Sequence, residues 1–292
     1  MNYVMAATIE EAFLELERAE GHGKLIAGGT DVVIGIEEGK IQVSQLVDVT
    51  RIPGFTDIRV EGEYLYIGAA ANLTQISRSP LVKEHVPSLA KAAARVGSTQ
   101  IGNVGTLAGN VISAQPAADA AMALAVLDAL FYVYSGHARE RTVPMAEMYK
   151  DIGRSAIDSA REIVTRIRIP VLAKDEAASF MRLELRKTLA LPMLNASAAT
   201  KIKGGSLVWA KIAMGPAGVG PVRAKKAEEW LVGKPVTAET IREAADLALG
   251  DANLRSSLLR GTREYRSTTL PVLIRRALAD CAGQLGYGGD FA

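Results

Sequence analysis

Apolar and polar residues follow a mixed pattern of short strands and helices at the start of the chain. Thr8 and Glu11 form a capping box that predicts the start of a helix. The apolar runs Lys24–Ala27 and Gln45–Val49 predict strands, and Val32–Glu38 predicts a helix between them. This order of strand, glycine loop, helix and strand predicts a small α/β unit over about residues 1–55 that could hold an anion at a helix N-terminus.

Residues 56–172 predict a second, α+β unit. Glu61-Gly62-Glu63 separates two apolar runs, which is typical of a β-hairpin. Thr74 is expected to cap a short helix, and Pro87 suits the first position of another. The remaining predicted elements are a helix at Ala117–Leu127 and strands at Leu130–Tyr134, Arg139–Val143 and Glu162–Ile169.

Beyond a linker at Lys174–Ala178 the pattern changes to long strands followed by helices. The strands are Ser179–Leu185, Leu194–Ile202 and Leu207–Met214, and the helices are Ala224–Leu231, Ala238–Leu249 and Arg263–Leu285. Strands grouped before helices are typical of an α+β domain. The sequence therefore predicts an α+β fold with one domain over residues 1–172 and another over 173–292.

Two glycine-bearing segments stand out within the first domain: Leu25–Val32 and Thr106–Asn110. Each leads from apolar residues through small ones to a polar side chain. Backbone without Cβ atoms can approach a ligand closely, and successive N–H groups can bind an anion. Two such segments in one domain indicate a long ligand with a diphosphate, although each alone is more often a tight turn.

Composition excludes several classes of function. A net charge of +2 with dispersed basic residues gives no indication of nucleic-acid binding. One cysteine, Cys281, and three scattered histidines argue against a disulfide framework, an iron–sulfur cluster and a metal site in this chain. The most apolar run, Ala117–Tyr134, contains Asp119 and Asp128, so no membrane span is expected. No signal peptide is visible, which predicts a cytoplasmic protein.

No catalytic motif is present either. The chain has no Gly-x-Gly-x-x-Gly after a strand, no phosphate loop ending in Gly-Lys-Ser/Thr, and no Gly-x-Ser-x-Gly elbow. We therefore expect no catalytic residues of its own, and any redox chemistry would belong to a bound cofactor.

The order and spacing of these segments resemble the FAD-binding subunit of molybdenum hydroxylases, the family of xanthine, carbon monoxide and nicotinate dehydrogenases. The resemblance covers essentially the whole chain and rests on Ala27–Asp31, Gln100–Asn110 and Pro116–Asp119. Arg186–Pro192 and Glu264–Arg266 look like the C-terminal flavoprotein domain of this family. Arg186–Leu191 and Leu231–Thr240 are most similar to nicotinate dehydrogenase FAD subunits.

The resemblance implies a site for FAD between the first two units, with the isoalloxazine ring towards the C-terminal domain. Two segments would hold the diphosphate and ribityl region from opposite sides: Leu25, Ile26, Ala27, Gly28, Gly29, Thr30, Asp31 and Val32 in the first, and Thr106, Leu107, Ala108, Gly109 and Asn110 in the second. Further implied cofactor contacts are Gly97, Asp119, Val164 and Arg182.

The implied function is electron transfer within a complex. A molybdopterin-binding subunit hydroxylates an aromatic heterocycle such as a purine or nicotinate, and an iron–sulfur subunit carries the electrons. FAD in this chain passes them to NAD, NADP or another acceptor. The single cysteine fits this division, since the metal centres would then lie on other chains.

Two departures from the family pattern keep alternatives open. Ala108 replaces a usual glycine, and Arg182 stands where the family usually has lysine, which changes the hydrogen-bond geometry. Ala190 and Pro192 also differ from many relatives. One alternative is an assembly or nucleotide-binding subunit without flavin. The other is a self-contained flavin oxidase. In the same way, Asp119 could be only a helix cap and Arg182 only an outward-facing strand charge.

Overall fold

The computed structural model of the protein describes all residues except Ala138, Lys187, Thr188, Leu259, Arg260, Asp290 and Ala292. Lys187 and Thr188 belong to the Arg186–Pro192 motif, and this part of the motif therefore lies outside the described residues. Buried apolar side chains form two clusters, one mostly within the first domain and the other within the C-terminal domain.

The N-terminal unit is a parallel three-stranded sheet with two helices. Its elements are β1 (Asn2–Met5), α1 (Ile9–Arg18), β2 (Gly23–Ile26), α2 (Val32–Glu37) and β3 (Gln45–Asp48). The strand order is β1–β3–β2, and both pairs are parallel. Helix α1 begins as predicted, because the Thr8 hydroxyl accepts a hydrogen bond from the Glu11 N–H at 3.1 Å.

The second unit is an antiparallel five-stranded sheet with a helical insertion. Its first elements are β4 (Ile58–Glu61), β5 (Tyr64–Gly68), α3 (Leu73–Arg78), α4 (Pro80–His85), α5 (Pro87–Ala93), α6 (Thr99–Val104), α7 (Leu107–Ile112) and α8 (Asp119–Val126). They are followed by β6 (Leu130–Tyr134), β7 (Glu140–Pro144), β8 (Tyr149–Asp151), β9 (Arg154–Ser155) and β10 (Ile163–Pro170). The sheet order is β4–β5–β10–β6–β7, and β8 pairs with β9 in a separate hairpin.

Two local predictions in this unit were wrong. Helix α3 is capped by Asn72, which forms a reciprocal capping box with Gln75, and not by Thr74. The second glycine segment is helical: α6 and α7 follow each other, separated by Gly105 and Thr106. Ala108 thus has a helical conformation that any residue can adopt, and it does not strain the segment.

The C-terminal domain has the predicted order of long strands and then helices. Its elements are β11 (Glu176–Leu183), β12 (Leu194–Lys203), β13 (Ser206–Gly215), β14 (Val222–Arg223), α9 (Lys225–Leu231), α10 (Ala238–Ala248) and α11 (Arg263–Gln284). The strands form an antiparallel sheet in chain order. Gly204 and Gly205, both with positive φ, make the turn between β12 and β13.

This sheet is buried on both faces and joins the two domains. Ala178 and Phe180 of β11 pack into the first core, whereas the neighbouring Ala177 packs into the second. Helix α8 lies against one face and α11 against the other. All eight residues of α8 are buried, including Asp119. The α+β fold class predicted from the sequence is confirmed.

Candidate functional site

A cleft of about 830 Å³ lies between the parallel sheet and the helical insertion. Its lining includes the whole of the first predicted segment, Leu25–Val32, and most of the second, namely Thr106 and Ala108–Asn110. Val164 of β10 also lines it. The volume is within the usual range for pockets that hold cofactors. The fold thus brings together two segments that lie far apart in the sequence.

The first segment packs against the residues directly before the second one, and this contact depends on Gly28. A Cβ atom on Gly28 would lie 2.1 Å from the Val104 carbonyl oxygen and 2.8 Å from the Gly105 Cα. Gly29 adopts φ +69°, a conformation that side chains rarely tolerate. Both glycines are therefore required by the backbone, the first for close approach and the second for the turn.

The loop between β2 and α2 presents backbone donors without a protein acceptor. Two of its carbonyl groups accept hydrogen bonds from α2. The Gly29 carbonyl accepts from the Val33 N–H, and the Asp31 carbonyl accepts from the Gly35 N–H, both at 2.9 Å. Within the described part of the chain, the N–H groups of Gly28, Gly29, Thr30 and Asp31 donate to no other group. Successive free N–H groups at the edge of a cleft favour an anion such as a phosphate.

The second segment forms the start of α7. The Thr106 hydroxyl accepts a hydrogen bond from the Gly109 N–H at 3.1 Å and so caps the helix. One residue further, the Asn110 side-chain oxygen is buried and has no hydrogen-bond partner among the described residues. A buried oxygen without a partner is costly, which indicates that a ligand with a donor group belongs beside it.

One wall of the cleft was missed by the sequence analysis. It consists of the β8–β9 hairpin and the segment after it, with Lys150, Gly153, Arg154 and residues 155–159 in the lining. The strands are too short and polar for their periodicity to be recognised. The one sequence signal was Gly153, a glycine in a polar stretch that adopts φ +72° in the turn.

Four predicted contacts do not line this cleft: Gly97, Leu107, Asp119 and Arg182. The Leu107 side chain is completely buried in the first core. Gly97 follows Val96, which does line the cleft, and has φ +66°. Their roles, like those of the residues in the lining, stay predictions.

Asp119 and Arg182 belong instead to a buried charge cluster between the two domains. Asp119 forms an ion pair with Arg182 and accepts a hydrogen bond from the Asn195 amide at 2.8 Å. Arg182 also pairs with Glu184 at 2.7 Å and donates to the Arg95 carbonyl at 2.7 Å. Only 5% of the Arg182 side chain is exposed, so it is not an outward-facing strand charge.

Asp119 is likewise not a helix cap. It is the first residue of α8, the preceding Ala118 occupies the cap position, and no side-chain cap bond is present. Burial raises the pKa of Asp119 to about 6, while Arg182 and Asn195 act in the opposite direction. The cluster adjoins the cleft, because Arg182 binds the carbonyl of Arg95, the residue before Val96.

The titratable side chains and the helices of the described residues bear on metal binding and on membrane insertion. No group of three or more His, Cys, Asp or Glu side chains is placed to hold a metal ion there. Of the helices in the described ranges, none is long and apolar enough to cross a bilayer. The only cysteine, Cys281, is buried, and burial raises the pKa of its thiol.

The residues in the cleft fit an FAD molecule. The free N–H groups of the first loop suit its diphosphate, and the unpartnered oxygen of Asn110 suits a hydroxyl donor such as those of the ribityl chain. The second segment contributes Gly109, which lines the cleft and where a Cβ atom would lie 2.9 Å from the Thr106 hydroxyl oxygen that caps α7.

Comparisons with known proteins agree with this fit. Residues 1–172 match the FAD binding domain in molybdopterin dehydrogenase, and residues 179–281 match the CO dehydrogenase flavoprotein C-terminal domain. The nicotinate dehydrogenase FAD-subunit of Eubacterium barkeri is 33% identical over 268 residues, which cover 90% of each chain.

Solved structures show the same fold over nearly the whole chain. A chain of carbon monoxide dehydrogenase from Hydrogenophaga pseudoflava superposes with a TM-score of 0.91 at 26% identity, covering 97% of this chain and 98% of that chain. For quinoline 2-oxidoreductase from Pseudomonas putida 86 the TM-score is 0.89 at 26% identity, with 98% of both chains covered. The chain therefore belongs to the family of FAD-binding subunits of molybdenum hydroxylases, as the sequence resemblance indicated.

Proposed function

We propose that this chain is the electron-transfer subunit of a complex that also contains an iron–sulfur subunit and a molybdopterin-binding subunit. FAD, when bound, supplies the redox chemistry, because it can exchange electrons singly or in pairs. The observation that carries the proposal is the cleft, with its free N–H groups and the unpartnered Asn110 oxygen. NAD, NADP or another acceptor would take up the electrons.

The substrate that we propose for the complex is an aromatic nitrogen heterocycle. Two of the proteins compared above are named for nicotinate and quinoline, both of this class. The third acts on carbon monoxide, so the family fold alone does not choose a substrate. We place substrate oxidation on another subunit, because the family model and the nicotinate dehydrogenase relative match this chain as the FAD-binding part of such a complex.

The protein's own residues would bind and position the cofactor. The Gly28–Asp31 N–H groups would donate to the diphosphate, and Asn110 would accept from a hydroxyl group. The side chains of Val96, Ile101 and Ile112 would exclude water from the inner part of the cleft.

Exposed apolar side chains support a partner interface near the charge cluster. Leu185, Leu189 and Leu191, in the segment that follows β11, are 72%, 60% and 63% exposed. Arg182 ties this segment to the first domain through the Ala190 carbonyl. An exposed apolar group of this kind is typical of a protein–protein contact. The cytoplasmic location expected from the sequence stays a prediction.

The first test is the flavin content of the purified chain. We expect a yellow protein that releases FAD, and not FMN, on denaturation, because the free N–H groups suit a diphosphate that FMN lacks. Absorbance spectra and chromatography of the released flavin would measure this. A colourless chain that fails to take up added FAD would favour the alternative of an assembly subunit.

The second test concerns the partners. The isolated chain should show at most transfer of electrons from NADH or NADPH to an artificial dye, with no hydroxylation of a heterocycle. From its native host it should co-purify with a cysteine-rich subunit and a large molybdopterin-binding subunit. Turnover of a heteroaromatic substrate by this chain with FAD alone would contradict the proposal and favour a self-contained flavin oxidase.

A further inference from the structure

Among the described residues, three with cationic side chains line the cleft, and these side chains differ in their contacts. Lys24 donates a hydrogen bond to the Ser159 hydroxyl at 2.9 Å, and burial lowers its pKa. Lys150 lies near Glu162 and helps to lower the pKa of that carboxyl, which burial alone would raise. Through its side chain, Arg154 makes no hydrogen bond, ion pair or ring contact within the described part of the chain.

The acidic residues that line the cleft form no ion pair with Arg154. Glu162 is bound by Arg141 through two hydrogen bonds of 2.8 and 2.9 Å. Asp158 accepts from the Ala160 N–H at 3.1 Å. Asp31 is exposed at the start of α2 on the first loop. Thus Arg154 lines the cleft as an exposed residue, and its guanidinium contacts no protein anion among the described residues.

The hairpin that carries Arg154 is held firmly in place. The Gly153 N–H donates to the Ala114 carbonyl at 2.9 Å, which joins the turn to the residues after α7. Tyr149 packs so closely on Gly220 that a Cβ atom there would lie 2.5 Å from its ring. Strand β9 also contacts α7, the helix of the second glycine segment. Arg154 therefore lies in the lining of the cleft, on a strand that is held against the second glycine segment.

We propose that Arg154 is a specificity-determining residue that binds the diphosphate of the cofactor. This inference rests on the proposed function, since it assumes that the cleft holds FAD. Backbone N–H groups offer only partial charges, whereas FAD brings two negative charges to a loop that already carries Asp31. A guanidinium neutralises a phosphate and can donate two parallel hydrogen bonds to it. Arg154 would thereby favour FAD over flavins that lack a diphosphate.

The test is a titration of the flavin-free protein with FAD, followed by flavin fluorescence at low and high salt. In Arg154→Gln the dissociation constant should rise about five- to tenfold at low salt, because one charged contact to phosphate is lost. The salt dependence of binding should also become weaker. Arg154→Lys should restore most of the affinity, and Arg242→Gln, which removes an exposed arginine on α10, should bind like the wild type.

Each outcome decides the proposal. Unchanged FAD affinity in Arg154→Gln would overturn it, and the proposed function would still stand because the wild type binds FAD. Weaker binding with an unchanged salt dependence and no rescue by lysine would show a merely structural role, which also overturns it. If FAD affinity is unchanged but the KM for NADH in dye reduction rises, Arg154 serves the electron acceptor instead. Failure of the wild type itself to bind FAD would overturn the proposed function.

Discussion

Replacing Gly28 with alanine should weaken FAD binding by about tenfold or more. The new Cβ atom would meet only backbone: the Val104 carbonyl oxygen at 2.1 Å, the Val104 carbonyl carbon at 2.7 Å and the Gly105 Cα at 2.8 Å. No side chain can rotate away, so the first loop must separate from the segment before α7. Overpacking of this kind costs about 1–3 kcal/mol, and a loss of 1.4 kcal/mol in binding is about tenfold in affinity.

The measurement is the ratio of FAD to protein after purification, together with an FAD titration and a melting curve. Gly283→Ala is the matched control, because Gly283 lies in α11 with open space around its Cα, and alanine is favoured in a helix. It should keep full FAD content and equal or higher stability. Normal FAD content and melting temperature in Gly28→Ala would show that the contact between the two segments is not needed.

The sequence predicted the long elements well because their signals are strong and local. Helices α10 and α11 carry threonine caps, Thr237 and Thr262, followed by long runs without a strand pattern. The turn at Gly204-Gly205 falls between two of the predicted strands, Leu194–Ile202 and Leu207–Met214, where two glycines interrupt the apolar pattern. In these places local chemistry and tertiary structure favour the same conformation.

The sequence did not predict α6, α7 or the β8–β9 hairpin, and these elements form much of the cleft. Gly102, Gly105 and Gly109 lower the helix propensity of their segment, so it was interpreted as a loop. Packing of the apolar Leu107 and Val111 in the core compensates for this low propensity. Such compensation depends on residues that are distant in sequence, and no local pattern reveals it.

The burial of the Arg182 side chain could likewise not be predicted from the local sequence. From the sequence, a charged residue between Phe180 and Leu183 could equally face solvent. The structure buries it because Asp119 lies 63 positions earlier, Arg95 lies 87 positions earlier, and both meet it at the boundary between the domains. The resemblance to relatives implied that Arg182 contacts the cofactor. It did not indicate that Arg182 binds protein groups, as the structure shows.

Replacing Arg182 with methionine should strongly destabilise the protein. The change leaves the buried carboxylates of Asp119 and Glu184 without their main cation, and the side chains of these two residues are only 4% and 12% exposed. Removing one partner of a buried ion pair costs about 3–5 kcal/mol. By contrast, Arg59→Met breaks an exposed pair with Glu61 and should cost less than about 1 kcal/mol. Urea unfolding of the three proteins would measure the difference.

The stability lost in Arg182→Met should also depend on pH, and the direction can be predicted. In the folded chain the pKa of Asp119 is about 6, above the ordinary value of 3.8, so its contribution to stability decreases as the pH rises through this range. Without Arg182, which lowers this pKa, the decrease continues to higher pH. The difference in stability between Arg182→Met and the wild type should therefore be larger at pH 8 than at pH 5, where Asp119 is mostly protonated in both. An equal difference at both pH values would show that Arg182 stabilises the domain boundary through packing and its bonds to carbonyl groups, and not through the charge of Asp119.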